Sequence, residues 1–289
     1  MTQATSLTQG LPALRQGQPA PAALTERRAM TAGSRKDLPV EPGVAVVKKE
    51  HAGVPGLECS VPDAKRTILH LHGGGYRMGE PAMWIPFGTW LAKLAQARVV
   101  LPHYRLAPEH PFPAAIHDGV AVYEALLKSG PVLLSGDSAG GGLAAAVTVA
   151  ILGRANPPGV VLISPWLDLT VEAATYATRS STDKLFSKEA AKEGSGQYLQ
   201  GHSAKDPLAS PLFADLKGFP PTLILAGGDE VLLGDSLAFA ARLGEAGATV
   251  EAHFVAGMQH VWPTVFPALP ESVAAMEAIA RFARKAIPD

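Results

Sequence analysis

The chain has 289 residues, 47% of them hydrophobic, and a formal net charge of −1. That length can bury the core of one large α/β domain or two smaller ones, and near-neutral charge offers no basic stripe for nucleic acid or an anionic membrane. The single cysteine, Cys59, allows no internal disulfide; it reads as a small hydrophobe near a strand, and nothing points to an oxidising compartment.

The start, MTQATSLTQG, lacks the basic and apolar stretches of a secretory signal. The most apolar segment, 141–153, is too short and alanine-rich to span a bilayer, so a cytoplasmic protein is expected. Residues 1–40 are Pro-rich and then helical, before any strand pattern. Apolar runs at 44–49, 66–72, 97–104, 131–136, 159–165, 221–227 and 249–255 then alternate with helical patterns near 82–95, 113–129, 138–154, 235–246 and 268–286. This alternation predicts a mostly parallel central sheet, and the unbroken apolar runs predict strands covered by helices on both faces. Gly130 and Gly247 stand where helix C-caps belong. The polar, helical insert at 170–205 breaks the alternation. Together with residues 1–40 it is expected to cap a site at the C-terminal ends of the strands, leaving 41–289 as the main domain.

The run PVLLS leads into GDSAGGG, placing Ser138 between Gly136 and Gly140 after a buried-type strand. A sharp strand-to-helix turn there exposes the serine oxygen, and flanking glycines avoid collisions across the turn. No Lys-Ser/Thr pair follows the glycines, which excludes a phosphate loop. Serine becomes a nucleophile only when a histidine takes its proton and an acid orients that histidine. Such elbows carry the order serine, acid, histidine. His253 falls inside a strand and His202 in the insert, whereas His260 lies in a loop after the last strand and is the expected base. For the acid, Asp229 follows directly on the strand at 221–227 and is preferred over Glu230 and Asp235; Asp235 reads as a helix N-cap. Attack on a carbonyl also requires donors for the oxyanion, one being the Ala139 N–H and others coming from the stretch His72-Gly73-Gly74-Gly75. A metal site on His70 and His72 lacks acidic or cysteine partners nearby, so neither metal nor cofactor is expected; His72 instead pins the glycine loop.

The motifs HGGGY (72–76), YRLAPEHPFPAA (104–115), GDSAGGG (136–142), SPWLDLT (164–170), GGDEVLLGDS (227–236) and GMQHVW (257–262), in this order, resemble those of bacterial hormone-sensitive-lipase-like esterases. The resemblance runs from about residue 40 to the C-terminus. It implies the α/β-hydrolase fold with a helical cap, and a triad of Ser138, Asp229 and His260. It further implies oxyanion donors on Gly74, Gly75 and Ala139, and hydrolysis of short- to medium-chain acyl esters without a cofactor. An amidase or aryl-formamidase on the same triad, and a non-catalytic small-ligand receptor of the same fold, are the alternatives. Expected substrate contacts are Tyr76, Met78, Trp84, Trp166, Tyr198, Leu208, Val261 and Trp262. Arg105, Glu109 and Asp118 are expected to form a buried polar network, with Asp137 and Asp168 also structural. The expected partner is a small-molecule ester, with no nucleic acid or membrane; a homodimer is left open.

Overall fold

The computed structural model describes residues 6–33 and 39–289. Its frame is one eight-stranded sheet in the order β1-β2-β4-β3-β5-β6-β7-β8. The strands are β1 (Ala45–His51), β2 (Val54–Ser60), β3 (Arg66–Leu71), β4 (Ala97–Pro102), β5 (Val132–Asp137), β6 (Val160–Ile163), β7 (Thr222–Gly227) and β8 (Val250–Val255). β2 pairs antiparallel with β1 and β4, and every other pairing is parallel. The expected mostly parallel α/β sheet is therefore present, with one strand that sequence pattern missed. β2 carries Pro55 and Gly56, residues depleted in strands. It joins β1 through a two-residue turn, Ala52-Gly53, with φ of +52° and +82°, the twist a tight hairpin needs but without its usual Asn or Asp.

The helices are α1 (Ala22–Gly33), α2 (Ile85–Ala95), α3 (Ala114–Leu127), α4 (Ala139–Ile151), α5 (Thr175–Thr178), α6 (Lys188–Leu199), α7 (Leu233–Glu245), α8 (Trp262–Val265) and α9 (Pro270–Ala286). Side-chain alternation sends successive strand residues to opposite faces. Leu69, Leu134, Val160, Leu162 and Ile224 enter a core with residues of α3, α4 and α7. Ile68, Leu133, Val161, Ile163 and Leu223 enter a second core with α2 and α9. Each such buried aliphatic side chain contributes roughly 1.5–3 kcal/mol. Continuous apolar strands are thus explained by two covered faces, whereas the edge strand β8 is half-buried and alternates. No helix among the described residues is long and apolar enough to cross a membrane.

The two segments outside the alternation meet each other. Arg27 of α1 pairs with Glu193 of α6 at 2.9 Å. Arg28 donates to the carbonyls of Arg77 and Ala107 and pairs with Glu109 at 2.6 Å. Glu109 is therefore a partner of α1, not of Arg105 as expected; Arg105 holds Asp118 alone, at 2.7 Å. Cys59 is fully buried among apolar neighbours of the α2/α9 core, which pushes its thiol pKa up to about 12.

Candidate active site

β5 ends at Asp137, and α4 begins at Ala139, so Ser138 occupies the corner between them with φ +54° and ψ −124°. A non-glycine residue holds this strained conformation only when its surroundings fix it. Here Ser138 N–H donates to Ile163 O at 2.9 Å, and its carbonyl accepts from Trp166 N–H at 2.9 Å. A Cβ on Gly136 would run into the Gly140 backbone, and one on Gly140 into the Leu71 and His72 carbonyls. The tight turn therefore dictates both glycines.

His260 follows β8 in a loop and is buried. Its Nε2 lies 2.9 Å from Ser138 Oγ, and its Nδ1 lies 3.1 Å from Glu230 Oε2. The expected acid, Asp229, does not face the histidine: it is half-buried, while Glu230 is fully buried. The backbone explains the correction. Gly228 N–H donates to Val255 O and Asp229 N–H to Met258 O, which ties this loop to the end of β8 and turns the next side chain inward. Asp183 Oδ2 accepts from Val231 N–H at 2.9 Å, and Thr182 Oγ donates to Asp229 O at 2.9 Å, fixing the loop from the insert side. Phe186 of the same insert segment stacks on the His260 ring at 5.4 Å. Asp235, expected as an N-cap, lies inside α7; its Oδ2 accepts from Leu167 and Asp168 N–H, and burial pushes its pKa up to about 8.

A carboxylate beside Nδ1 requires the proton on that nitrogen, leaving Nε2 to accept from the serine hydroxyl. Burial alone would lower the His260 pKa, but the hydrogen bond and charge of Glu230, with the charges of Asp183 and Asp137, raise it above 6.5. Burial raises the Glu230 carboxyl, and its bond to His260 opposes that. A general base must be neutral, so activity falls as pH drops through the raised histidine value. The acid limb of kcat/KM for a neutral ester is expected on the alkaline side of 6.5, with a one-proton slope. A pH–rate profile locates it, and a limb well below 6.5 would contradict this electrostatic picture.

The glycine stretch follows β3. Asp137 Oδ1 accepts from Gly73 N–H at 3.0 Å and lies 3.1 Å from His70 Nε2, so the Gly73 donor is engaged. Gly74 (φ +122°) and Gly75 (φ +63°) adopt conformations that suit glycine, and their N–H groups meet no acceptor among the described residues. Both line the same cavity as Ser138 and His260. His72 Nδ1–H donates to Gly73 O at 2.8 Å, and the ring stacks on Tyr104 at 4.3 Å. Burial pushes the His72 pKa down to about 4, which keeps it neutral. In Gly74→Ala the new Cβ would run into the Met78 carbonyl, so the loop must shift. Loss of one aligned donor predicts a fall of about 10²–10³ in kcat, read on a chromogenic ester beside a melting curve that shows the protein folded.

The cavity measures about 750 Å³. Of the residues expected to contact substrate, Met78, Trp84 and Val261 line it. Tyr76, Trp166, Tyr198 and Trp262 do not: at 0–1% exposure they are core. Tyr76 stacks on Tyr198 at 4.0 Å, and Leu208 packs against the same core. Large aromatic rings serve core and pocket equally well, so residue type alone does not separate the two. The wall instead includes Arg27, Arg77, Phe87, Leu185 and Phe186, which sequence reasoning missed. Their signal was weak: Arg77 stands two residues after the glycine stretch, and the others stand in segments with no motif.

A serine at the β5–α4 corner, a histidine after β8 and this sheet order define an α/β-hydrolase. The family model described as alpha/beta hydrolase fold matches residues 68–264. An acetyl-hydrolase of Streptomyces hygroscopicus is 41% identical over 227 residues, 76% of either chain. An esterase of Acinetobacter venetianus is 36% identical over 254 residues, covering 85% of this chain and 84% of its own. The crystal structure of an esterase from the bacterial hormone-sensitive lipase family superposes with a TM-score of 0.88 at 36% identity, over 93% of each chain. The chain belongs to the alpha/beta hydrolase family, among its bacterial hormone-sensitive-lipase-type esterases, and its class is carboxylic ester hydrolase.

Proposed function

We propose that the protein is a serine carboxylesterase acting on short- to medium-chain acyl esters through Ser138, His260 and Glu230. The observation that carries this reading is the hydrogen-bonded chain from Ser138 Oγ through His260 to Glu230, at 2.9 and 3.1 Å. His260 Nε2 takes the hydroxyl proton as Oγ attacks the ester carbonyl, and the positive charge that forms is stabilised by Glu230. The oxyanion is received by the N–H groups of Gly74, Gly75 and Ala139, and the positive end of α4 adds to their field. His260 then protonates the departing alcohol. Water, activated by the same histidine, attacks the acyl-serine, and its proton returns to Oγ as the acid leaves.

The capping role of α1 and the 170–205 insert belongs to this reading, supported by Arg27, Leu185, Phe186 and Ala190 in the cavity wall. A wall of that kind favours small, water-soluble esters over triglycerides. The acetyl-hydrolase name of the Streptomyces relative makes acetyl esters a natural first substrate. A fluorophosphonate tests the serine directly. One equivalent should attach, on the peptide that contains Ser138, with parallel loss of esterase activity. Activity that survives full labelling of Ser138 would overturn the proposal.

A further inference from the structure

The cavity that opens on Ser138 is apolar over much of its wall, with Met78, Phe87 and Phe186, yet two arginines also line it. Arg77 is the unusual one, because its side chain is only 3% exposed. Its guanidinium packs beside Gly75 and Gly194, within ordinary van der Waals reach of both. Arg27 reaches the same place from α1.

Their charges are not balanced. Both arginines share one oxygen of Glu193, each at 2.9 Å. The remaining Arg77 contacts are long and neutral, at 3.3 Å to Gln197 Oε1 and 3.3 Å to Ala190 O. The Nε–H of Arg77 and that of Arg27 are both buried and without any acceptor among the described residues. The carboxylate that does line the cavity, Asp137, is engaged by His70 and the Gly73 N–H. Burying a cation without a full partner is costly, and one carboxylate oxygen does not neutralise two guanidinium groups. An incoming anion would supply the missing partner. Carboxylates suit the guanidinium fork, and the apolar remainder of the wall strengthens such a contact. Glu193 is 43% exposed, so it is able to turn towards water as a ligand enters.

We propose that Arg27 and Arg77 form a carboxylate subsite, so that the favoured substrate is an ester bearing a negatively charged group near its scissile bond. The proposal rests on the reading of Ser138 as the acylated serine. The charged group belongs either to the acyl part or to the alcohol part, and the two arms of one experiment separate these. In the first arm, kcat/KM is compared for p-nitrophenyl hemisuccinate and p-nitrophenyl pentanoate. In the second, the acetyl ester of 4-hydroxybutanoate is compared with butyl acetate.

In at least one arm, the charged-to-neutral ratio is expected to fall by about tenfold to a hundredfold in Arg77→Met, as loss of a charge-assisted hydrogen bond implies. Arg77→Lys should keep part of the ratio, and added salt should lower it in the native enzyme. Arg27 is half-exposed, so Arg27→Met decides the matter if Arg77→Met does not fold. A ratio that moves in neither variant, in either arm, overturns the subsite while leaving hydrolysis of the neutral esters to support the esterase reading. Failure to turn over any of the four esters would sink both.

Discussion

Replacing Ser138 by alanine is expected to lower kcat for p-nitrophenyl butyrate by about 10⁵–10⁶ with the fold intact. The effect is this large because the triad acts as a unit. Without Oγ, the histidine has only water to activate, and no acyl-enzyme divides the reaction into two easier steps. What remains is the contribution of the oxyanion donors and of substrate binding, about 10³–10⁴ over water. Little stability should be lost. Ser138 stands at the N-cap of α4, but its side chain makes no capping bond, and alanine keeps the same Cβ in the same φ +54° corner. Steady-state rates and a thermal melt measured on one preparation separate chemistry from folding. A folded Ser138→Ala enzyme within tenfold of native activity would place the nucleophile elsewhere.

The corner itself was legible in the sequence because local sterics dictate it. Gly136 and Gly140 have no room for a Cβ, and the strand before them is buried on both faces. His260 was legible for a related reason, since only one histidine after Ser138 falls in a loop at the end of a strand. The glycine stretch could be placed too, because peptide groups bared after a buried strand have few other uses. Two kinds of information were not local. The choice between Asp229 and Glu230 depends on which of two adjacent carboxyls turns inward, and bonds from Gly228 and Asp229 to residues of another strand decide that. The pocket wall depends on which aromatic rings lose all solvent in the core: Trp84 stays at the cavity, while Trp166 and Trp262 disappear beneath it. β2 escaped notice because Pro55 and Gly56 are tolerated near the sheet margin, where β1 is the outer strand.

The identity of the acid is the point on which the proposed mechanism stands most openly. Glu230→Gln keeps the length and shape of the side chain but removes the charge that holds His260 in the Nδ1–H tautomer and stabilises its protonated form. A loss of about 10⁴ in kcat is expected from a change of this kind. The acid limb of the pH profile should also move to lower pH, because the hydrogen bond and charge of Glu230 raise the histidine. Asp229→Asn removes a carboxylate one residue away that makes no hydrogen bond to the histidine, so its activity should stay within a few-fold of native. The decisive measurement is therefore the kcat of these two folded variants, side by side on p-nitrophenyl butyrate. A drop of several orders of magnitude confined to Glu230→Gln is the expected result; a drop confined to Asp229→Asn would contradict the Ser138–His260–Glu230 triad.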